Sequence, residues 1–364
     1  MAYTTIDDPS AFFHIQTYTG NGSSGHSITN NANAGNFKPD WLWVKPRSLA
    51  DNNVMFDSTR GNDRQLKTNG SDAEDTHSPA KFTFETNGFD IDSDDQNYNQ
   101  NSATYVAWQW KCNGGTTTNV SSGTVDSNTT TACVRQVNTT AGISIMTYTA
   151  DSNGEQFLEH GLGKAPYWVI VKNRDQADEW AVGHLSNTGT ASFYNYLRLN
   201  NNGGGSTASS YWLNTAPTAN LINLGSNHSV GANGEDYVCY AFAPIKGYSQ
   251  FGRWKGNGNA DGPYTYTGFA PRWIMVKNAS GNGHWKINDT ARDFNSTYGN
   301  DASLHADENI AETTSSSFNV DFLSNGFKIR SADGEINADG SIYVYMAFAE
   351  HPFVSSKGVP VTAR

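Results

Sequence analysis

An all-β chain of three tandem antiparallel β-sandwich units is the fold class this sequence predicts, on three observations. A strand is written three times, as PDWLWVKPRS (39–48), APYWVIVKNR (165–174) and APRWIMVKNA (270–279). A second block also recurs, as TYVAWQW (104–110), DYVCYAF (236–242) and IYVYMAF (342–348). Gly (35 in the whole chain) and clusters of Asn, Thr and Ser interrupt nearly every apolar run, as in chains of short strands ended by turns. No helical periodicity persists beyond about two turns. Internal repeats decide architecture, so each element is read against its copies.

Each copy opens with an aromatic running into a Gly/Asn turn: TYTGNG (17–22), TYTADSNG (147–154) and RWKGNGNADG (253–262). The aromatic lies 23, 20 and 19 residues before the repeated Trp. GNGNADG (256–262) reads as a hairpin turn between aromatic strands, not a nucleotide loop. In the Trp strand, Pro39, Pro166 and Pro271 share a column, as do Trp41, Trp168 and Trp273, then Val44, Val171 and Val276, then Lys45, Lys172 and Lys277. Both alternating faces between Trp and Lys are apolar, which predicts burial on both sides. The Pro sits at the strand start, where a sheet accepts it. The second block follows that Lys by 60, 65 and 66 residues, counted to Tyr105, Tyr237 and Tyr343. Val106/Val238/Val344 and Trp110/Phe242/Phe348 fall on one strand face.

Two smaller motifs link the first and third copies: DSTR (57–60) with DTAR (289–292), and NGF (87–89) with NGF (325–327). An Asp and an Arg three residues apart can pair across a tight turn, and Asn-Gly marks a hairpin. A repeated ligand contact is the alternative reading. The spacing places unit one, with an N-terminal arm, at 1–112, unit two at 131–246, unit three at 247–354 and a C-terminal tail at 355–364. Residues 113–130 are Gly/Ser/Thr-rich and read as a linker or strand-poor arm. Units two and three meet near Lys246–Tyr248 with almost no spacer, which predicts a fixed mutual orientation.

The remaining composition excludes several chemistries. Net charge is −11 with 24 scattered Lys and Arg, so nucleic-acid binding has no basic patch to rest on. No apolar run approaches membrane-span length, and MAYTTIDDPS carries neither part of a signal peptide. Cys239 lies inside a repeated strand and reads as core, while Cys112 and Cys133 bracket the linker, where a bridge or two free thiols both fit. Asp90, Asp92 and Asp94 alternate like the start of a calcium loop, but the sixth and twelfth positions are Asp95 and Asn101. That stretch reads as a solvated acidic loop and at most a weak metal candidate. The nine His show no helical i, i+4 pair, so no zinc site and no cofactor are expected. Paired carboxylates for glycoside hydrolysis would be expected to repeat with the scaffold; the Glu residues do not, so no enzyme is expected.

Unit two lacks both small motifs and instead carries HLSNTGTASFYNYLRLNNNGGGSTASSYWLNTAP, rich in aromatics, Gly, Asn and Ser. Trp180, Tyr194, Tyr211 and Trp212 are its candidate glycan contacts, through ring stacking beside amides, with core packing as the alternative for each. The order TYTGNG…PDWLWVK…FDSTRG…NGFDI…TYVAWQWK, the opening MAYTTIDDPSAFF, and GPYTYTGFAPRWIMVKN…DFLSNGFKIR…IYVYMAFAEHPF resemble a family of repeat-built bacteriophage virion proteins of marine bacteria. The likeness covers nearly the whole chain and implies jelly-roll, concanavalin A-like sandwich units. It also implies a virion component, assembled in the host cytoplasm and exposed on the particle exterior. The expected function is a non-enzymatic tail fibre or appendage touching host-surface polysaccharide. A capsid decoration or head-fibre protein is the second reading, and a glycan-degrading tailspike the third. Expected partners are other virion proteins, including copies of itself, with no nucleic acid and no membrane insertion. The N-terminal decapeptide is expected to be an extended arm ordered by another subunit or virion protein.

Overall fold

The computed structural model describes residues 3–32, 35–185, 193–292 and 301–361. Each third of the chain builds one large antiparallel sheet in the same spatial order. A leading strand (Phe13–Thr19, Ile143–Thr149, Ser249–Lys255) pairs with a Tyr strand (Thr104–Trp110, Asp236–Phe242, Ile342–Pro352). The Tyr strand pairs in turn with the Trp strand (Trp41–Pro46, Trp168–Asn173, Phe269–Asn278). A fourth strand (Val54–Asp57, Ala181–His184, Lys286–Asp289) and a fifth (Gly61–Lys67, Asn195–Arg198, Ala302–His305) continue each sheet. A smaller antiparallel sheet belongs to each third, such as His26–Thr29, Gly88–Ile91 and Phe82–Glu85 in the first.

The recurring aromatics turn out to be partners. Tyr18 stacks on Tyr105 at 5.1 Å, Tyr148 on Tyr237 at 5.1 Å and Trp254 on Tyr343 at 5.2 Å, each as a cross-strand pair. The three tyrosine hydroxyls anchor the loop that precedes their strand in the same way. They donate to the carbonyls of Gln96, His228 and Gly334 and accept from the N–H of Gln100, Ala232 and Ala338. A buried phenol needs such partners, and this use accounts for Tyr in that column.

Alternation explains why the Trp strand is apolar on both sides. Leu42 and Val44 face the small sheet of their own repeat, in a core with Ile28, Phe82 and Phe89. Val169 and Val171, and Ile274 and Val276, do the same in the other repeats. The opposite faces of all three large sheets meet in one shared core that holds Trp41, Trp43, Trp168 and Trp273. The Tyr strands contribute Trp110, Phe242 and Phe348 to that core, and rings cross between repeats, with Trp41 4.9 Å from Tyr240 and Trp110 5.7 Å from Trp273. The repeats are therefore packed round a common aromatic centre, not strung on a flexible chain.

Asn-Gly-Phe has a steric origin. Gly88 and Gly326 follow two-residue hairpin turns, and a Cβ on either would lie 2.0 Å from the carbonyl oxygen of Ile28 or 2.1 Å from that of Thr265, on the neighbouring strand. Any larger residue would push the small sheet apart.

Three expectations need correction. Residues 113–130 are not a free linker: Thr118–Val120 pairs with Cys133–Asn138 and extends the second large sheet to eight strands. GNGNADG is not a hairpin turn, because Ser249–Lys255 belongs to the large sheet and Tyr264–Tyr266 to the small one, so the loop crosses between layers. The N-terminal arm is ordered by its own chain. Tyr3 donates its hydroxyl to the Gly268 carbonyl at 2.8 Å, Lys246 sits over the Tyr3 ring, and Ile6 enters the shared core. The arm thereby ties the start of the first repeat to the third. All three cysteines are free and buried. Among the described residues no helix is long and apolar enough to cross a membrane.

Candidate functional site

The repeated polar residues converge on the seams between repeats, and their side-chain ties run one way round a closed ring. Lys45 Nζ donates to the Glu308 carbonyl of the third repeat, Lys172 Nζ to the Ser71 carbonyl of the first and Lys277 Nζ to the Asn202 carbonyl of the second. Each ammonium also meets a carbonyl of its own repeat, from Asp51, Asn173 or Gly283. Burial pushes Lys45 down to about 7 and Lys172 and Lys277 to about 8. A second set of ties precedes the fourth strand. Asn53 Nδ2 donates to the His305 carbonyl, Trp180 Nε1 to that of Lys67 and Trp285 Nε1 to that of Arg198. A third set is backbone: Glu312 N–H to Arg47 O, Glu74 N–H to Arg174 O and Gly205 N–H to Ala279 O.

Charge reinforces two of the three seams. Asp57 and Arg60 pair across their turn with both side chains fully buried, as do Asp289 and Arg292. Each Arg reaches a glutamate, Glu74 or Glu312, that also holds Arg174 or Arg47 of the adjoining repeat at 2.8 Å. Burial favours the neutral acid at both glutamates. The hydrogen bonds from Arg174 and Arg47 and the charges of Arg60 and Arg292 outweigh it, holding both carboxyls below the usual range. Each Asp also accepts across the seam, Asp57 from Tyr240 Oη at 2.7 Å and Asp289 from Trp108 Nε1 at 2.9 Å. The Asp-x-x-Arg motif is thus a seam device. In unit two His184 occupies the Asp position, and the third-repeat equivalent of the donors Tyr240 and Trp108 is Met346, which offers none. His184 is hydrogen-bonded to the Tyr345 backbone instead.

The four nominated glycan contacts are not brought together. Trp180 is buried in the seam just described, and Trp212 is buried against Phe193. Tyr211 is stacked face to face on Tyr196 at 3.7 Å, so that ring face is occupied. Of the four only Tyr194 is exposed. Residues 186–192 of that aromatic segment lie outside the described residues. Asp90 and Asp92 are half-buried and Asp94 exposed, and they do not converge on a common point that could hold an ion. Among the described residues, the grouping whose ligand atoms do converge is His284, His305 and Glu308.

Two surface features remain. In the second repeat the added strand frames a groove of about 410 Å³, lined by apolar Val120 and Val134 and polar Asn119, Thr147, Thr149 and Asp236. In the third repeat and the segment after it, Tyr264, Tyr266, Val359 and Val361 are exposed, near where residues 3–7 meet the third repeat. There Tyr3 meets Tyr266, Phe353 N–H meets the Gly268 carbonyl, and Asp7 accepts from Ser356.

Over residues 8–352 the sequence matches the family described as Domain of unknown function (DUF7483). The chain belongs to this family. No curated protein and no solved structure matches it. The DUF7483 match takes in all three repeats as one unit, in keeping with their shared core. Sequence reasoning missed the seam glutamates of this DUF7483 chain, although a signal existed. Arg47 and Arg174 both lie two residues after the repeated Lys, where the third repeat has Ala279, and among the described residues that third seam is the one without these ion pairs.

Proposed function

We propose that this DUF7483 chain is a non-enzymatic structural protein of a bacteriophage virion, carried on the particle exterior in a tail fibre or appendage that contacts host-surface glycan. The observation that carries this reading is the use of the repeated residues: Lys, Asp-x-x-Arg and the seam Glu hold three sheet pairs round one core. Selection for rigidity, not for a reacting centre, accounts for such a pattern. The ordered motifs that resemble repeat-built virion proteins supply the phage context, and jelly-roll or concanavalin A-like sandwich topology is the finer fold reading proposed with it. The groove on the second repeat has the mixed polar and apolar lining that a sugar requires. It replaces the buried tryptophans as the nominated contact, and many copies on one particle would supply avidity.

The exposed Tyr and Val residues near where residues 3–7 meet the third repeat favour a second reading, a capsid decoration or head-fibre protein docked through them onto another virion protein. Antibody labelling of intact virions separates the readings, with label on the tail expected. Label confined to the head would select the second reading, and absence from the particle would overturn both. Virions carrying Ser121→Trp, which fills the groove, should adsorb poorly to host cells while retaining the protein.

A further inference from the structure

The three repeats place equivalent side chains at one spot beside each seam, and the third repeat fills it with different chemistry. The first position is Asn52, Glu179 or His284, directly before the seam donor Asn53, Trp180 or Trp285. The second is Lys67, Arg198 or His305, at the end of the fifth strand. The third is Asn69, Asn200 or Asp307, whose Oδ1 accepts the N–H of the seam donor in every repeat, at 2.8, 3.0 and 3.0 Å. In the first repeat the side chains satisfy one another as amides, Asn69 Nδ2 donating to Asn52 Oδ1 at 2.8 Å. In the second, Arg198 pairs with Glu179. The third repeat gathers two imidazoles and two carboxylates instead.

Their geometry is convergent. The His284 and His305 rings lie parallel, 5.2 Å apart and 11° from coplanar orientation. His284 Nδ1 is 2.9 Å from Asp307 Oδ2 and 3.3 Å from Glu308 Oε2, and His305 Nδ1 is bonded to that same Glu308 oxygen. Three donor atoms, His284 Nδ1, His305 Nδ1 and Glu308 Oε2, therefore converge, with Asp307 Oδ2 beside His284. A tetrahedral ion with ligands at about 2.0–2.2 Å has ligand-to-ligand edges of about 3.3–3.6 Å, and the His284–Glu308 spacing already lies there. The Glu308 backbone is held by Lys45 Nζ and Asn53 Nδ2 across the seam, so the site is braced from the first repeat. His284 and Glu308 side chains are 24% and 30% exposed, which leaves an entry path.

We propose that His284, His305 and Glu308, with Asp307 beside them, form a binding site for a divalent transition-metal ion of the zinc type, at the seam where the third repeat meets the first. Two imidazole nitrogens and a carboxylate oxygen suit Zn(II) or Co(II) better than Ca(II), which takes six or more oxygens. His305 Nε2, on the far side of the ring, lies 2.6 Å from Lys286 Nζ, which is also paired with the Glu335 carboxylate. The histidines escape a search for helical spacing because strand pairing, which sets Lys286 opposite His305, brings them together.

The test uses the full chain stripped with chelator and titrated with Co(II). One equivalent should bind and give the intense visible absorption of tetrahedral coordination. The double variant His284→Asn with Asp307→Asn rebuilds the Asn52–Asn69 pair of the first repeat. It should keep the metal-free unfolding midpoint and weaken binding by at least about tenfold, since even outer-shell changes cost that much. Should it fail to fold, Glu308→Gln gives the same readout at a part-exposed position. Absence of saturable binding by the wild type, or equal binding by a folded variant, overturns the site.

Discussion

His184 offers the sharpest quantitative handle on the seams. It takes the position that Asp57 and Asp289 hold in the other repeats, its ring lies 4.9 Å from Trp168, and it is wholly buried. Burial, with a contribution from the nearby Arg253 charge, pushes its pKa down from 6.5 to about 3. Between those values the unfolded chain binds a proton that the folded chain does not, so stability falls as pH drops through this window. From pH 7 to pH 5 the linkage amounts to about 2 kcal/mol for this one group. His14 and His160, each pushed down to about 4 by burial, act in the same direction but are unchanged in a His184 variant. Urea unfolding of wild type and His184→Gln at both pH values isolates the term. The wild type should lose about 2 kcal/mol more than the variant. Equal losses would refute the claim that His184 stays neutral in the seam.

Three further outcomes follow from the packing. Trp168→Ala should cost about 3–5 kcal/mol in denaturant unfolding, because the indole packs on Phe251 and Trp285 of the third repeat as well as on its own sheet. Gly326→Ala should destabilise by about 1–3 kcal/mol, while Gly334→Ala, whose added Cβ meets only Ala338 at 3.9 Å, should leave the unfolding midpoint nearly unchanged. Removing residues 1–8 should lower the thermal midpoint through loss of buried Ile6, worth at least about 1.5 kcal/mol; an unchanged midpoint would mean the arm is not docked.

The elements of this fold were legible wherever a residue repeated. Aligning Trp41, Trp168 and Trp273 located the buried strand, and the spacing of Tyr18, Tyr148 and Trp254 marked a repeated element, though not that each ring stacks on the Tyr of the next strand. The arrangement of the repeats was not legible. A strand apolar on both faces states that two layers cover it, but not whether the second layer belongs to its own repeat or to its neighbours. Trp180 shows the same ambiguity at one residue. Lying just before an Asn- and Gly-rich aromatic segment, it read as a glycan contact, yet alignment with Asn53 and Trp285 marks it as a seam donor. The residues 113–130 looked strand-poor because Thr118–Val120 is mostly exposed and owes its pairing to an edge of the second sheet.

Calorimetry of the intact chain tests most directly whether three repeats form one closed body round a shared core. The ring of ties and the common aromatic centre predict a single transition, with calorimetric and van't Hoff enthalpies in a ratio of about 1. Separable transitions, with a ratio of about 3 for independently melting repeats, would contradict that account.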